Sequence, residues 1–278
     1  MSHTTLIAAA ELTELINESH NVKIFDCRAA LGDPEHGARE FAAGHLPAAQ
    51  YLSLDQDLAA EPGEGGRHPL PDRSALASRL AELGCDDSTQ IVVYDDAGGA
   101  FAARAWWCIR WLGHEAVAVL DGGIAAWTGA LETTPTKPVQ GSFESRPPLT
   151  RTIEAAALAA HLGEATLIDA RAQARFDGLE EPIDAVAGHI PGASCLPFQG
   201  NLDATGRFLP PAQLAERFAD LAAADLLVCY CGSGVTAAHN ILALRIAGFA
   251  EPILYPGSWS EWIRDEQRPI ATGQSAAQ

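Results

Sequence analysis

Apolar residues along the chain gather into short runs, separated by stretches with helical spacing, and the series of runs occurs twice. The run 22–28, VKIFDCR, reads as a buried strand ending in Asp-x-Arg, and 166–171, TLIDAR, repeats it. Gly44-His45-Leu46-Pro47 is answered by Gly188-His189-Ile190-Pro191. Residues 67–71, RHPLP, lead into a helix predicted over 73–83, as 207–211, RFLPP, lead into one over 213–221. The strand predicted at 91–94 matches 226–230, Gly113 and Gly248 each stop a helix, and GGIAAW at 122–127 matches PGSWSEW at 256–262. Short strands alternating with helices imply parallel sheets covered by helices. The pattern therefore divides the chain into a first domain over 1–134, a linker over 135–149 and a second domain over 150–278. The linker holds Pro135, Pro138, Pro147, Pro148 and Gly141 with little periodicity. Residues 1–16 read as an ordinary first helix and 271–278 as an unstructured tail.

One stretch carries candidate chemistry. After the apolar run 226–230 come Cys231-Gly232-Ser233-Gly234, and then 236–247 with helical spacing. A cysteine at a strand end, followed by a glycine-rich turn into a helix, is placed for anion chemistry. Gly232 and Gly234 let the backbone curl so that successive N–H groups converge on one point, at the positive end of the helix. A free thiol with a pKa of about 8.5 is roughly 3% thiolate at pH 7. Making thiolate dominant takes about 2.7 kcal/mol, the equivalent of about two pKa units. A helix end contributes about 0.3–1 kcal/mol, and several N–H donors to a charged acceptor, at about 1.5–3 kcal/mol each, supply the remainder. The bland alternative is a buried, inert cysteine.

Charge narrows the partners. Eighteen basic against 36 acidic residues give a net charge of −18 over 278 residues, which argues against nucleic acid or an anionic membrane surface. No apolar stretch approaches a membrane span, and the N-terminus lacks the pattern of a secretory signal. Six cysteines show neither framework spacing nor a CxxC pair and read as reduced thiols in a cytoplasmic protein. Cys229 and Cys231 point to opposite faces of a strand, so a shared metal is not expected.

The repeat supplies its own control. Counting back 135 residues from Cys231, the offset shared by Gly248/Gly113 and Trp262/Trp127, lands on Asp96. A carboxylate thus stands in the first half where the second has a thiol, giving one catalytic half and one silent half.

The doubled strand–Asp-x-Arg, the Gly-His-(Ile/Leu)-Pro elements and the loop CGSGVT resemble the rhodanese-like sulfurtransferases, most closely the two-domain 3-mercaptopyruvate sulfurtransferases. The resemblance runs from about Leu6 to Ile270. It implies an α/β fold of two tandem rhodanese-like domains, each a parallel sheet flanked by helices, and no cofactor. It implies a persulfide on Cys231, loaded by a small-molecule donor (3-mercaptopyruvate, or thiosulfate) and emptied by a thiol such as reduced thioredoxin or a small thiol, or by cyanide. It further implies Ser233 and His45 as a proton relay, Arg175 as the carboxylate-binding arginine, and the loop Gly232, Gly234, Val235 and Thr236 as the donor-binding turn. Its second substrate arginine, due in the loop before Gly188, has no match in EEPIDAV at 180–186. Arg28 and Arg171 are expected to be structural. Cysteine-dependent phosphatases share the strand–loop–helix design but need C-x5-R, and Ala237 stands where that arginine belongs. A non-catalytic reading, a sulfur-relay or docking module, shares every fold feature, but the presence of Cys231 argues against a dead domain.

Overall fold

The polypeptide folds into two units, each built on an all-parallel sheet, in a computed structural model that describes residues 2–18 and 21–273. Unit one comprises residues 1–60, 70–150 and 204–208; unit two comprises 61–69, 151–203 and 209–278. The stretch 61–69, which the repeat places in the first half, therefore belongs to unit two.

Unit one runs β1 (Leu6–Ile7), α1 (Ala9–Asn17), β2 (Val22–Asp26), α2 (His36–Ala43), β3 (Gln50–Tyr51), α3 (Arg73–Glu82), β4 (Gln90–Tyr94), α4 (Ala102–Trp111) and β5 (Val117–Leu120). Its sheet order is β1-β5-β4-β2-β3. Every residue of β4 and β5 is buried, as expected of strands covered on both faces. The single helix expected over 1–16 is instead a strand followed by a helix, because Leu6 and Ile7 pair in register with Val119 and Leu120. Residues 132–149 stay with this unit: Glu132 pairs with His45, and the Gly141 N–H donates to the Ala81 carbonyl.

Unit two runs α5 (Ala155–Ala160), β6 (Thr166–Asp169), α6 (Gln173–Phe176), β7 (Ala193–Cys195), α7 (Pro211–Arg217), β8 (Leu227–Tyr230), α8 (Thr236–Ile246), β9 (Ile253–Leu254) and α9 (Ser258–Trp262), with sheet order β7-β6-β8-β9. All eight residues from Ala237 to Leu244 are buried, so α8 is a central helix with no solvent stripe. The tail is ordered as far as it is described: Ala271 exchanges two backbone hydrogen bonds with His189, and the Gly273 N–H reaches the Asp177 carbonyl. Residues 274–278 lie outside the described residues. Gly113 and Gly248 do end their helices, both at φ +87°.

The two Asp-x-Arg motifs do the same work. At the end of β2, Arg28 grips Asp26 with Nε and Nη2 and donates to the Gly44 carbonyl, while the Tyr94 hydroxyl donates to Asp26. At the end of β6, Arg171 grips Asp169 (2.7 Å) and donates to the Gly188 carbonyl (2.7 Å), with the indole of Trp259 at 4.8 Å from its guanidinium carbon. Both arginines are structural, as expected: they tie a strand end to the Gly-His turn. The Asp169–Arg171 pair is fully enclosed, so Arg171→Ala would strand a buried carboxylate. Stability should fall by about 3–5 kcal/mol, read from the denaturant midpoint at unchanged m-value.

Candidate functional site

The turn after β8 departs from the strand through Cys231, which is 2% exposed. Its N–H donates to the Ser258 hydroxyl (3.1 Å), and its carbonyl accepts from the Trp259 N–H (3.0 Å). The Gly232 carbonyl accepts from Ser260 (2.9 Å), so both sides of the turn are sewn onto α9. Gly234 sits at φ +76°, with the Pro256 carbonyl where a side chain would begin, so no other residue fits there. Val235 precedes the first turn of α8, which opens at Thr236.

Unit one shows what such a turn does. Its counterpart to Cys231 is Asp95, not Asp96 as simple counting suggests. The register is set by Tyr94 and Tyr230: each hydroxyl accepts from the amide after its Gly-His pair (Leu46 and Ile190, 3.2 Å each). Each tyrosine carbonyl also accepts from the residue after its strand aspartate (Cys27 and Ala170). The following residue accepts at its carbonyl from α9 in unit two and from Ile124, at the matching place, in unit one. Unit one spends more residues in its turn, which shifts the count. The Asp95 side chain is fully buried and takes four backbone N–H bonds: Ala97 and Gly99 on Oδ1, Phe101 and Ala102 on Oδ2, all at 2.8–2.9 Å. Burial raises the pKa of this carboxyl above its ordinary value, and the four amides oppose the rise without cancelling it. The turn is a nest for an anion, filled in unit one by the chain's own carboxylate.

His45 is fully buried in unit one, with its ring 3.9 Å from that of Phe41 and Nδ1 donating to the Phe41 carbonyl (2.8 Å). His189 repeats this in unit two, stacked on Phe176 at 3.6 Å and bonded to its carbonyl at 2.7 Å. Both histidines pin their turns. The histidine on Ser233 is His68, with Nδ1 2.8 Å from Oγ.

Arginines converge on the same turn. Arg175, the arginine singled out by the resemblance, lies beside Gly232. A Cβ placed on Gly232 would stand 3.6 Å from both of its terminal nitrogens. The same Cβ would stand 2.8 Å from Nη2 of Arg67. Arg67 therefore stands where the loop at 180–186 lacks a cation. Its backbone N–H is anchored on the Ser260 hydroxyl (3.0 Å). Burial lowers its pKa from the ordinary value, with Arg175 and Arg171 pushing the same way and Cys231 and Glu181 opposing. His68 is legible only as a departure from the repeat, since RHPLP carries His68 where RFLPP carries Phe208, while Arg67 matches Arg207 and gives no such signal.

Among the described residues no cluster suits a metal ion and no helix is long and apolar enough to cross a membrane. All six cysteines are unpaired thiols. Burial pushes the thiols of Cys85 and Cys195 up to about 12, and raises Cys27, Cys108 and Cys229 as well.

The rhodanese-like domain model matches residues 8–130 and again 154–265. The chain belongs to the rhodanese-like family. It is 50% identical to a probable 3-mercaptopyruvate sulfurtransferase of Pseudomonas aeruginosa, over 98% of this chain and 100% of that protein. It is 39% identical to a putative thiosulfate sulfurtransferase of Mycobacterium tuberculosis, over 96% and 97%. The crystal structure of SseA from Escherichia coli, a 3-mercaptopyruvate sulfurtransferase, matches with a TM-score of 0.79 at 31% identity, covering 93% of this chain and 100% of that one. The doubled parallel-sheet architecture and the sulfurtransferase class are thereby established for this chain.

Within this family member the silent nest offers a direct check. Asp95→Ala leaves four converging amides without their acceptor and should destabilise unit one by at least about 3 kcal/mol. Thermal unfolding of the variant, compared with Asp96→Ala, separates the two positions; equal effects would reverse the assignment.

Proposed function

We propose that the protein is a 3-mercaptopyruvate sulfurtransferase working through a Cys231 persulfide. The observation that carries this reading is the turn after β8. It puts a thiol at the point where the matching turn of unit one gathers four amides on a carboxylate, and brings two guanidiniums over Gly232.

The Cys231 thiolate attacks the donor's sulfur; a Cys–S–SH bond forms and the donor's carbon–sulfur bond breaks. The electron pair passes to carbon, giving the enolate of pyruvate, which takes one proton to become pyruvate. An acceptor thiolate then attacks the outer sulfur, leaves as its own persulfide, and returns Cys231 as thiolate. Cyanide in the same step leaves as thiocyanate. The nest suits both anionic states of the sulfur, since N–H donors ask only for negative charge. Ser233 and His68, hydrogen-bonded at 2.8 Å, are the proton source for the enolate, the role the resemblance assigns to Ser233 and His45. Arg175 and Arg67 bind the donor's carboxylate, and Gly232, Gly234, Val235 and Thr236 form the turn against which it lies.

Thiosulfate is the second donor to weigh, favoured by the name of the mycobacterial relative. Its sulfur–sulfur bond releases sulfite without needing a proton, so a hydrogen-bonded Ser–His pair at the turn argues for mercaptopyruvate. The acceptor we assign is a thiol, small or on a reduced thioredoxin-like protein. Six unpaired cysteines favour a reducing compartment such as the cytoplasm.

Cys231→Ser should abolish turnover and the mass gain of one sulfur atom on incubation with donor, with the melting temperature unchanged. Persulfide on another cysteine would overturn the assignment. His68→Gln should lower kcat with mercaptopyruvate by about 10²–10⁴-fold yet spare thiosulfate. His45→Gln should act through stability alone, and the reverse order of effects would restore His45 to the relay.

A further inference from the structure

The loop at 180–186 has no arginine, yet it is not silent. Two of its side chains, Glu181 and Asp184, are each 4% exposed and turned onto the arginines. Glu181 takes Nε and Nη2 of Arg175 (3.1 and 2.6 Å) and reaches Nη1 of Arg171 at 3.3 Å. Asp184 divides its two oxygens. Oδ2 accepts from Nη2 of Arg175 at 3.1 Å, and Oδ1 accepts from Nη1 of Arg67. The backbone N–H of Asp184 is itself held by Glu181 at 3.0 Å, which fixes the carboxylate between the two guanidiniums.

Two cations that both approach Gly232 repel each other, the more strongly because they are largely out of water. Glu181 offsets the charge of Arg175 and Arg171 but does not join Arg175 to Arg67. A carboxylate with one oxygen on each does, and it consumes only one terminal nitrogen per guanidinium: Nη1 of Arg67 on one side, Nη2 of Arg175 on the other. Nη2 of Arg67 is left over the turn, 2.8 Å from the Cβ position of Gly232, and Nη1 of Arg175 at 3.6 Å. We propose that Asp184 is a positioning residue that bridges Arg67 and Arg175 into a two-guanidinium clamp over the Cys231 turn, and that the clamp selects donors carrying a carboxylate beside the transferable sulfur. This rests on the sulfur-transfer reading above and specifies its donor. The missing arginine of the loop is replaced by a pair: a cation from 61–69 and the anion that orients it.

The competing reading makes Asp184 a plug, a built-in carboxylate occupying the place the donor must take. The two readings predict opposite signs. In a clamp, Asp184→Asn sets an amide N–H against one guanidinium and lets the cations part. In a plug, it frees them for the donor.

The test uses the full-length protein. Asp184→Asn should raise KM for 3-mercaptopyruvate by roughly tenfold, the loss falling on KM and not on kcat. Arg67→Ala should do the same, and the double variant should be no worse than either, because both act through one geometry. A lowered or unchanged KM, or fully multiplicative losses, would overturn the proposal. Alkylation of Cys231 by iodoacetate relative to iodoacetamide gives a readout independent of sulfur transfer. The clamp should favour the carboxylate reagent in the wild type and lose that preference in Asp184→Asn, whereas a plug would show a gain. If the wild type forms no persulfide from mercaptopyruvate, the functional reading fails, and the alkylation ratio still decides the role of Asp184.

Discussion

A chain of alternating charges runs through unit two, and the site depends on it. Asp169, at the end of β6, holds Arg171; Arg171 touches Glu181; Glu181 holds Arg175; Arg175 and Arg67 share Asp184. The three carboxylates that bear on Arg171 and Arg175, Asp169, Glu181 and Asp184, are almost wholly enclosed, where an unpaired charge is costly and a paired, hydrogen-bonded one is stiff. The sheet edge is thereby wired to the turn that carries Cys231. The same motif in unit one, Asp26 with Arg28, ties its strand to its Gly-His turn, but there the chain of charge continues only to Glu40, 3.8 Å away and largely exposed. Sharing a fold did not make the two halves share a site.

The contrast between the turns follows the same logic. A strand, a tight turn and a helix start bring several N–H donors to one point, and a buried point with that many donors needs an anion. Unit one satisfies the need internally with Asp95. Unit two puts a cysteine, Cys231, at the matching place in its turn. One architecture thus holds a buried carboxylate in one unit and a cysteine in the other. Ser258 shows the refinement on the reactive side. It holds a left-handed backbone (φ +53°) where Gly123 of unit one sits at φ +58°, and its hydroxyl holds the Cys231 N–H.

The repeat, the alternation of strand and helix, both Asp-x-Arg pairs, the helix stops at Gly113 and Gly248 and the strand–Cys231–turn–helix unit are all legible in the order of residues. They depend on hydrophobic period, on turn chemistry, or on partners a few positions away. Legibility ended where partners lie far apart in the chain. The silent counterpart of Cys231 was misplaced by one residue, because the two turns differ in length and only the tyrosine hydrogen bonds fix their register. His45 was an attractive choice because it sits in a motif, but motif histidines recur in both halves and do the same turn-pinning work in each.

Sequence by itself determined the two-fold plan of the protein, the buried strands and the cysteine at the head of a helix, since these follow from local pattern and backbone geometry. Only tertiary structure decided that 61–69 leaves its own half to join unit two, bringing His68 to Ser233, 165 residues away, and Arg67 to Asp184, 117 residues away. No local rule carries such information. Those contacts form because buried guanidiniums, carboxylates and hydroxyls must find partners wherever the packed chain offers them.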